Sequence, residues 1–324
     1  MTPAASIAKP AAADLSASAA DTTQAVALPE NRGLSFLGDK KGGPFDLSEA
    51  LARKMLSARN SHGKPNRDVL RPWVNGLDIT RRPQRRWIID FPPGMDECEA
   101  LLYEQPYAFV QCHVWPVRGW HKLSVRRHCW WIHAHARPEM RIAVAKRDRY
   151  IATIMVSKHR VFVWLPPETL PDYHLIVFAR DDDWFFGVLH SRFHENWALR
   201  LSTQLRKKKS GFRYTPKTCF ETFPFPWPPA TPLGKLTRAQ DEQRTAIAQA
   251  ARSLDALRCD WLGGRTDRKR TLTALYNDRP AWLKDAHAAL DEAVAAAYGW
   301  PSDLPDDEAV ARLLALNRQR ASAS

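Results

Sequence analysis

The sequence predicts an α+β fold, a mixed sheet-and-helix domain followed by an all-α C-terminal segment, and three observations carry that prediction. Residues 150–156, 161–165 and 175–179 are short runs rich in β-branched and aromatic side chains, the composition of strands. Directly after them, residues 184–200 read as one helix: Phe185, Val188, Leu189, Phe193, Trp197 and Leu201 recur mostly every three or four positions, and Asp181, Asp182 and Asp183 precede them where the helix dipole favours acids. Past Leu236 the strand-like runs cease, and residues 236–257, 280–298 and 306–320 keep helical spacing.

The remaining elements follow in chain order. Residues 1–30 are Ala, Ser, Thr and Pro with little apolar period, the composition of a disordered or marginally helical leader. Residues 31–45 are glycine-rich but hold neither GxxxxGK[ST] nor a GxGxxG that opens a helix, so a loop leading into a helix at 47–57 is expected rather than a phosphate cradle. A turn-rich basic segment closes on a strand at 87–91, and 96–114 reads as a helix with Asp96, Glu97 and Glu99 in its first turn. Residues 31–230 are therefore assigned to one domain, with Phe220, Phe223, Phe225 and Trp227 anchoring a proline-broken strap at its end, and 235–324 to the helical tail.

Charge narrows the function. A net charge of +13 over 324 residues points to a polyanionic partner, nucleic acid before a membrane surface. No apolar run is long enough to span a bilayer and residues 1–30 lack a hydrophobic signal core, so a cytoplasmic protein is expected. Five scattered cysteines without a CxxC pair fit reduced thiols. Between residues 117 and 149 nine Lys or Arg face only Glu139 and Asp148, threaded with Trp120, Trp130, Trp131 and four histidines, a mixture able to neutralise phosphate and stack on bases. Between the first two strand runs, Ser157-Lys158-His159-Arg160 has hairpin length and two fixed positive charges.

Two histidine groupings invite a metal. Cys129-x3-His133-x-His135 lacks the second ligand pair that would close a four-ligand site, and would matter only to a metal-dependent nuclease. His190 and His194 share a helical face, but Ser191 stands where HExxH needs glutamate, which favours a packed or DNA-facing pair. No metal is assigned.

Longer words carry a family resemblance: NRGLSFLGDKKGGPFDL, VLRPWVNGLDITRRP, WIIDF, RPEMRIA, RYIATIMVSKHRVFVWL, DDDWFFGVLHSRFHENWALR, YTPKTCFETFPFP and LTALYNDRPAWLKDAHAALDEAVAAAYGWP. From about Asn31 onward the chain resembles the C-terminal portion of the MmeI-like adenine-specific DNA methyltransferases, many of them fused restriction-modification enzymes. The resemblance implies a target recognition domain that reads double-stranded DNA, followed by a helical segment. Such enzymes also need a glycine-bearing turn for S-adenosylmethionine and a [DNS]PP[YFW] tetrapeptide to hold the flipped adenine. Here the Pro-Pro pairs stand as FPPG, LPPE and WPPA, so the catalytic half and its S-adenosylmethionine are expected outside these residues, and no cofactor is assigned to them.

The expected function is thus a recognition module of an adenine-N6 methyltransferase. The alternatives are a subunit of a split enzyme that needs a catalytic partner, and a non-enzymatic DNA-binding remnant. Backbone positioning is assigned to Arg118, Lys122, Arg126, Arg127, Lys207, Lys208 and Lys209. Base reading is assigned to Arg71, Asn75, Arg81, Arg82, Lys158, His159 and Arg160, because Arg and Lys pair with guanine and Asn with adenine.

Overall fold

The computed structural model describes residues 21–120, 128–204, 211–263 and 269–323. Its first sheet is built from β1 (Ser35–Leu37), β5 (Tyr150–Ile154), β7 (Phe162–Leu165) and β9 (Leu175–Phe178), in the order β1-β9-β5-β7 and antiparallel throughout. β9 is buried at every position and β5 at all but its last. Continuous apolar runs in place of alternation are what a strand covered on both faces requires. The glycine-rich segment expected as loop supplies β1, a correction: Ser35, Phe36 and Leu37 pair with Phe178, Val177 and Ile176.

A second sheet combines β2 (Asp46–Leu47), β4 (Trp87–Ile89), β3 (Leu70–Val74) and β8 (Leu170–Pro171), with β8 parallel to β3. The same part of the chain forms α1 (Glu49–Ser57), which packs on β4, with α2 (Gly76–Thr80), α3 (Glu97–Leu101), α4 (Glu104–His113), α5 (Trp115–Arg118) and α6 (Pro138–Val144), of which α2 and α6 reach β5 and β1 of the first sheet. Ser48 caps α1 by accepting from Leu51 N, and the single helix expected over 96–114 is divided between α3 and α4.

The helix expected over 184–200 is also two, α7 (Asp183–His190) and α8 (Arg192–Leu201). Ser191 leaves helical geometry at ψ 153° and its hydroxyl accepts from His194 N, so one residue both stops a helix and caps the next. The tail adds α9 (Arg238–Leu262), α10 (Leu272–Asp278), α11 (Ala281–Tyr298) and α12 (Asp306–Ser322). α9 and α11 pack against α7 at Gly187, where a Cβ would lie 2.8 Å from Ile247 Cγ2 and 3.0 Å from Ala251 Cβ; only glycine permits that approach.

Buried polar groups fasten tail to body. Arg258 of α9 donates to Phe162 O and His190 Nε2, both at 2.8 Å, and Arg192 N donates to Asp291 Oδ1 at 2.7 Å. Residues 21–30, assigned above to the leader, lie against the same assembly: Leu28 is fully buried and Val26 exchanges two hydrogen bonds with the Asn317 amide. The strap's Phe220, Phe223, Phe225 and Trp227 are all buried, as the sequence predicts. Among the described residues no helix is long and apolar enough to cross a membrane.

Candidate nucleic-acid interface

The site forms where β5 leaves its sheet. β5 and β7 pair from Tyr150↔Leu165 to Thr153↔Phe162, and then the chain diverts into β6 (Val156–Ser157), which pairs with β11 (Phe212–Arg213). β11 in turn pairs with β10 (Thr203–Gln204). Gly211, at φ +79°, makes the crossing possible, since a Cβ there would stand 2.5 Å from the Ser157 backbone. Residues 157–160 then lead from β6 back to β7.

Clefts lie on both sides of this ribbon, following the two-residue alternation of a strand. Ile154 and Val156 line a cleft of about 990 Å³, whereas Met155 lines another of about 820 Å³. In the first, Arg81 and Arg82 stand on one wall and Lys158 and His159 on another, so two segments about 75 residues apart in sequence present their cations to one space. Arg81 and Lys158 are exposed, and Arg82 and His159 half-buried. Thr271, Leu272 and Thr273 of the tail close the third side. Asn277 at the end of α10 accepts from both hairpin residues, from Lys158 Nζ at 2.7 Å and His159 Nε2 at 2.9 Å.

Several assigned residues do other work. Arg118 is a correction: it is 2% exposed, donates to Ile132 O and lies over the Phe45 ring, so it is a packed cation with no surface to offer phosphate. Arg160 is another. Its guanidinium donates to Thr153 Oγ1 and Phe212 O, both at 3.2 Å, and to Ile154 O, and it lies 4.8 Å over the Tyr214 ring. It welds the hairpin base to β11; burial pushes its pKa down to about 10, which leaves it a cation at neutral pH.

Asn75 caps α2 in a capping box, its Oδ1 taken by Leu77 N and Asp78 N, so it is a corner of the fold rather than a free adenine reader. Arg71 is tied by Nε to Asp90 at 3.0 Å. Lys122, Arg126, Arg127, Lys207, Lys208 and Lys209 lie outside the described residues. Of the tryptophans considered as stacking platforms, Trp130 and Trp131 are core, whereas Trp120 is 82% exposed.

Of the histidine groupings, His133, His190 and His194 resolve into packing, whereas His135 is exposed. His194 Nδ1 donates to Leu189 O at 2.9 Å and Nε2 faces the Tyr214 hydroxyl at 3.0 Å; His190 Nε2 accepts from Phe162 N. Burial holds both rings well below their ordinary pKa, His194 at about 3. His133 joins Asp39 and Asp90, with ligand atoms within 4.8 Å of one another, but that set does not fit a metal. Its Nε2 faces Ile89 O and its Nδ1 faces the Asp39 carboxylate, both at 2.8 Å, so both nitrogens donate and neither keeps a lone pair for an ion. Arg141 meanwhile bonds both carboxylates, at 2.6 Å to Asp39 and 2.5 Å to Asp90. Cys129 stays exposed.

Sequence reasoning missed the tail's share of the first cleft, although LTALYNDRP, one of the words that carry the resemblance, contains Asn277. It also missed the second cleft, where Arg137, Arg213 and Lys217 gather and Tyr173 lies between Arg137 and Lys40.

This geometry meets an independent finding. Residues 133–227, which include the hairpin, match the family model described as MmeI, target recognition domain. They form an MmeI-like target recognition domain. The chain is similar in fold to the type IIL restriction-modification enzyme MmeI, solved in complex with DNA, with a TM-score of 0.67, 18% identity, and coverage of 89% of this chain and 36% of that one. DNA methyltransferase A of Bacillus subtilis (strain 168) is 30% identical over 138 residues, 42% of this chain and 13% of that protein. The matches therefore cover 36% of the solved relative and 13% of the curated one. Within the target recognition domain lies the hairpin wall of the cleft; Arg81, Arg82 and Asn277 lie outside the matched residues on either side.

Proposed function

We propose that this chain is the DNA-reading module of a site-specific adenine-N6 DNA methyltransferase. The observation that carries the reading is the first cleft, where Arg81, Arg82, Lys158 and His159 converge from the α2–β4 loop and the hairpin of the target recognition domain. Cations beside an open cleft suit a phosphate backbone. The solved relative was captured on DNA, and the curated relative bears the name of a DNA methyltransferase, which supports the same direction. Arg81 and Lys158 neutralise phosphate at the rim, and His159 and Arg82 approach base edges. The residues that bind S-adenosylmethionine and hold the flipped adenine belong to a catalytic portion outside these 324 residues, on the same polypeptide or a partner chain.

Binding of the purified chain to duplex DNA across a salt series tests this. Affinity is expected to fall steeply with salt, and the double variant Arg81→Ala/Lys158→Ala to make the log–log slope shallower by about 2, roughly one for each phosphate left without its cation. A slope identical in wild type and variant would place the DNA elsewhere.

A further inference from the structure

Asn277 does more than cross a gap of 118 residues to reach His159. A lysine ammonium has only protons to give, so the Asn277 atom that faces Lys158 Nζ at 2.7 Å is the amide oxygen. The same oxygen lies 2.9 Å from His159 Nε2, and an oxygen can only accept there, so Nε2 carries the ring proton. In the neutral ring Nδ1 is then a bare acceptor. It has no hydrogen bond to any described residue, and His159 lines the cleft. Tyr276, its ring centroid 6.0 Å away, flanks the imidazole on the tail side.

We infer that Asn277, from the helical tail, holds the His159 ring with Nε2 as the donor, so that the neutral imidazole offers Nδ1 as an acceptor and the hairpin reads an exocyclic amino group on a base edge. This rests on the DNA-reading function proposed above. In the major groove the amino donors are N6 of adenine and N4 of cytosine; guanine and thymine offer only acceptors and a methyl. Without Asn277 the ring is free to take either tautomer, and the acceptor is no longer guaranteed. Lys158 acts in the same relay, because its charge orients the amide that orients the ring. Asn277 is thus a positioning residue for specificity, supplied by a part of the chain that the recognition-domain match does not include.

Selection from a randomised duplex pool, with wild type, His159→Ala, Asn277→Leu and Asn277→Asp, tests the relay. Wild type is expected to select a motif in which one base pair depends on His159. His159→Ala should relax that position alone, losing roughly tenfold discrimination. Asn277→Leu, similar in size but without an acceptor, should weaken the same position at an unchanged unfolding temperature, and Asn277→Asp, which keeps an acceptor oxygen, should restore it. Full discrimination in Asn277→Leu, or unchanged binding when the amino group at that base pair is removed (purine for adenine, 2-pyrimidinone for cytosine), would overturn the inference while leaving the DNA-reading function standing. A wild-type chain that selects no motif would remove both.

Discussion

Arg141→Met is expected to cost about 3–5 kcal/mol, because it removes the cation that two buried carboxylates share. Asp39 follows β1 of the first sheet, Asp90 follows β4 of the second, and His133 and Arg141 lie between them, so the cluster is the polar staple of the body. Asp39 and Asp90 are 0% and 1% exposed at the side chain. Methionine fills the volume but leaves both carboxylates to His133 and to Arg71, which is itself 40% exposed. Burial pushes the Asp39 carboxyl up, yet His133 and Arg141 outweigh it and hold its pKa below the ordinary 3.8. A depressed carboxylate contributes stability that is present at neutral pH and lost only as pH falls through that low value, so the cost of Arg141→Met should be fully visible at pH 7. Urea unfolding measures it, and a loss below about 1 kcal/mol would mean that the staple is not carried by Arg141.

Acid should weaken the fold through its buried histidines. Burial depresses three histidines at the junction of body and tail: His190 well below 6.5, His194 to about 3 and His287 to about 4. Folded, these rings stay neutral; unfolded, each takes a proton near pH 6.5. Their contribution is complete above pH 6.5 and is lost as pH falls toward the folded values. His194 alone accounts for about 3 kcal/mol at pH 4. Asp291, pushed up to about 6 by burial, acts in the opposite sense and offsets part of the loss below that pH. Unfolding followed from pH 7.5 to 4.5 should show a declining midpoint, and a flat or rising profile would contradict neutral buried histidines.

The strand runs, the aromatic strap and the tail helices were legible because each is a statement about which residues are apolar and how often. The break at Ser191 was not, since a one-residue cap barely disturbs a period of 3.6. Charge gave the position of Arg118 and Arg160 but not their direction, and both turn inward to carbonyl oxygens and aromatic faces. The first cleft was half legible. Arg81, Arg82, Lys158 and His159 stood out as basic residues beside turns, whereas Thr271 and Thr273 reach the same space, and Asn277 the hairpin, only through packing of the tail on the body.

Selection of bound duplexes from a random-sequence pool by the purified full chain, repeated at low and moderate salt, tests the central claim most directly. The DNA-reading function predicts enrichment of one short motif whose binding weakens as salt rises and does not need S-adenosylmethionine. Retention of duplexes without any sequence preference, or no retention even at low salt, would contradict it.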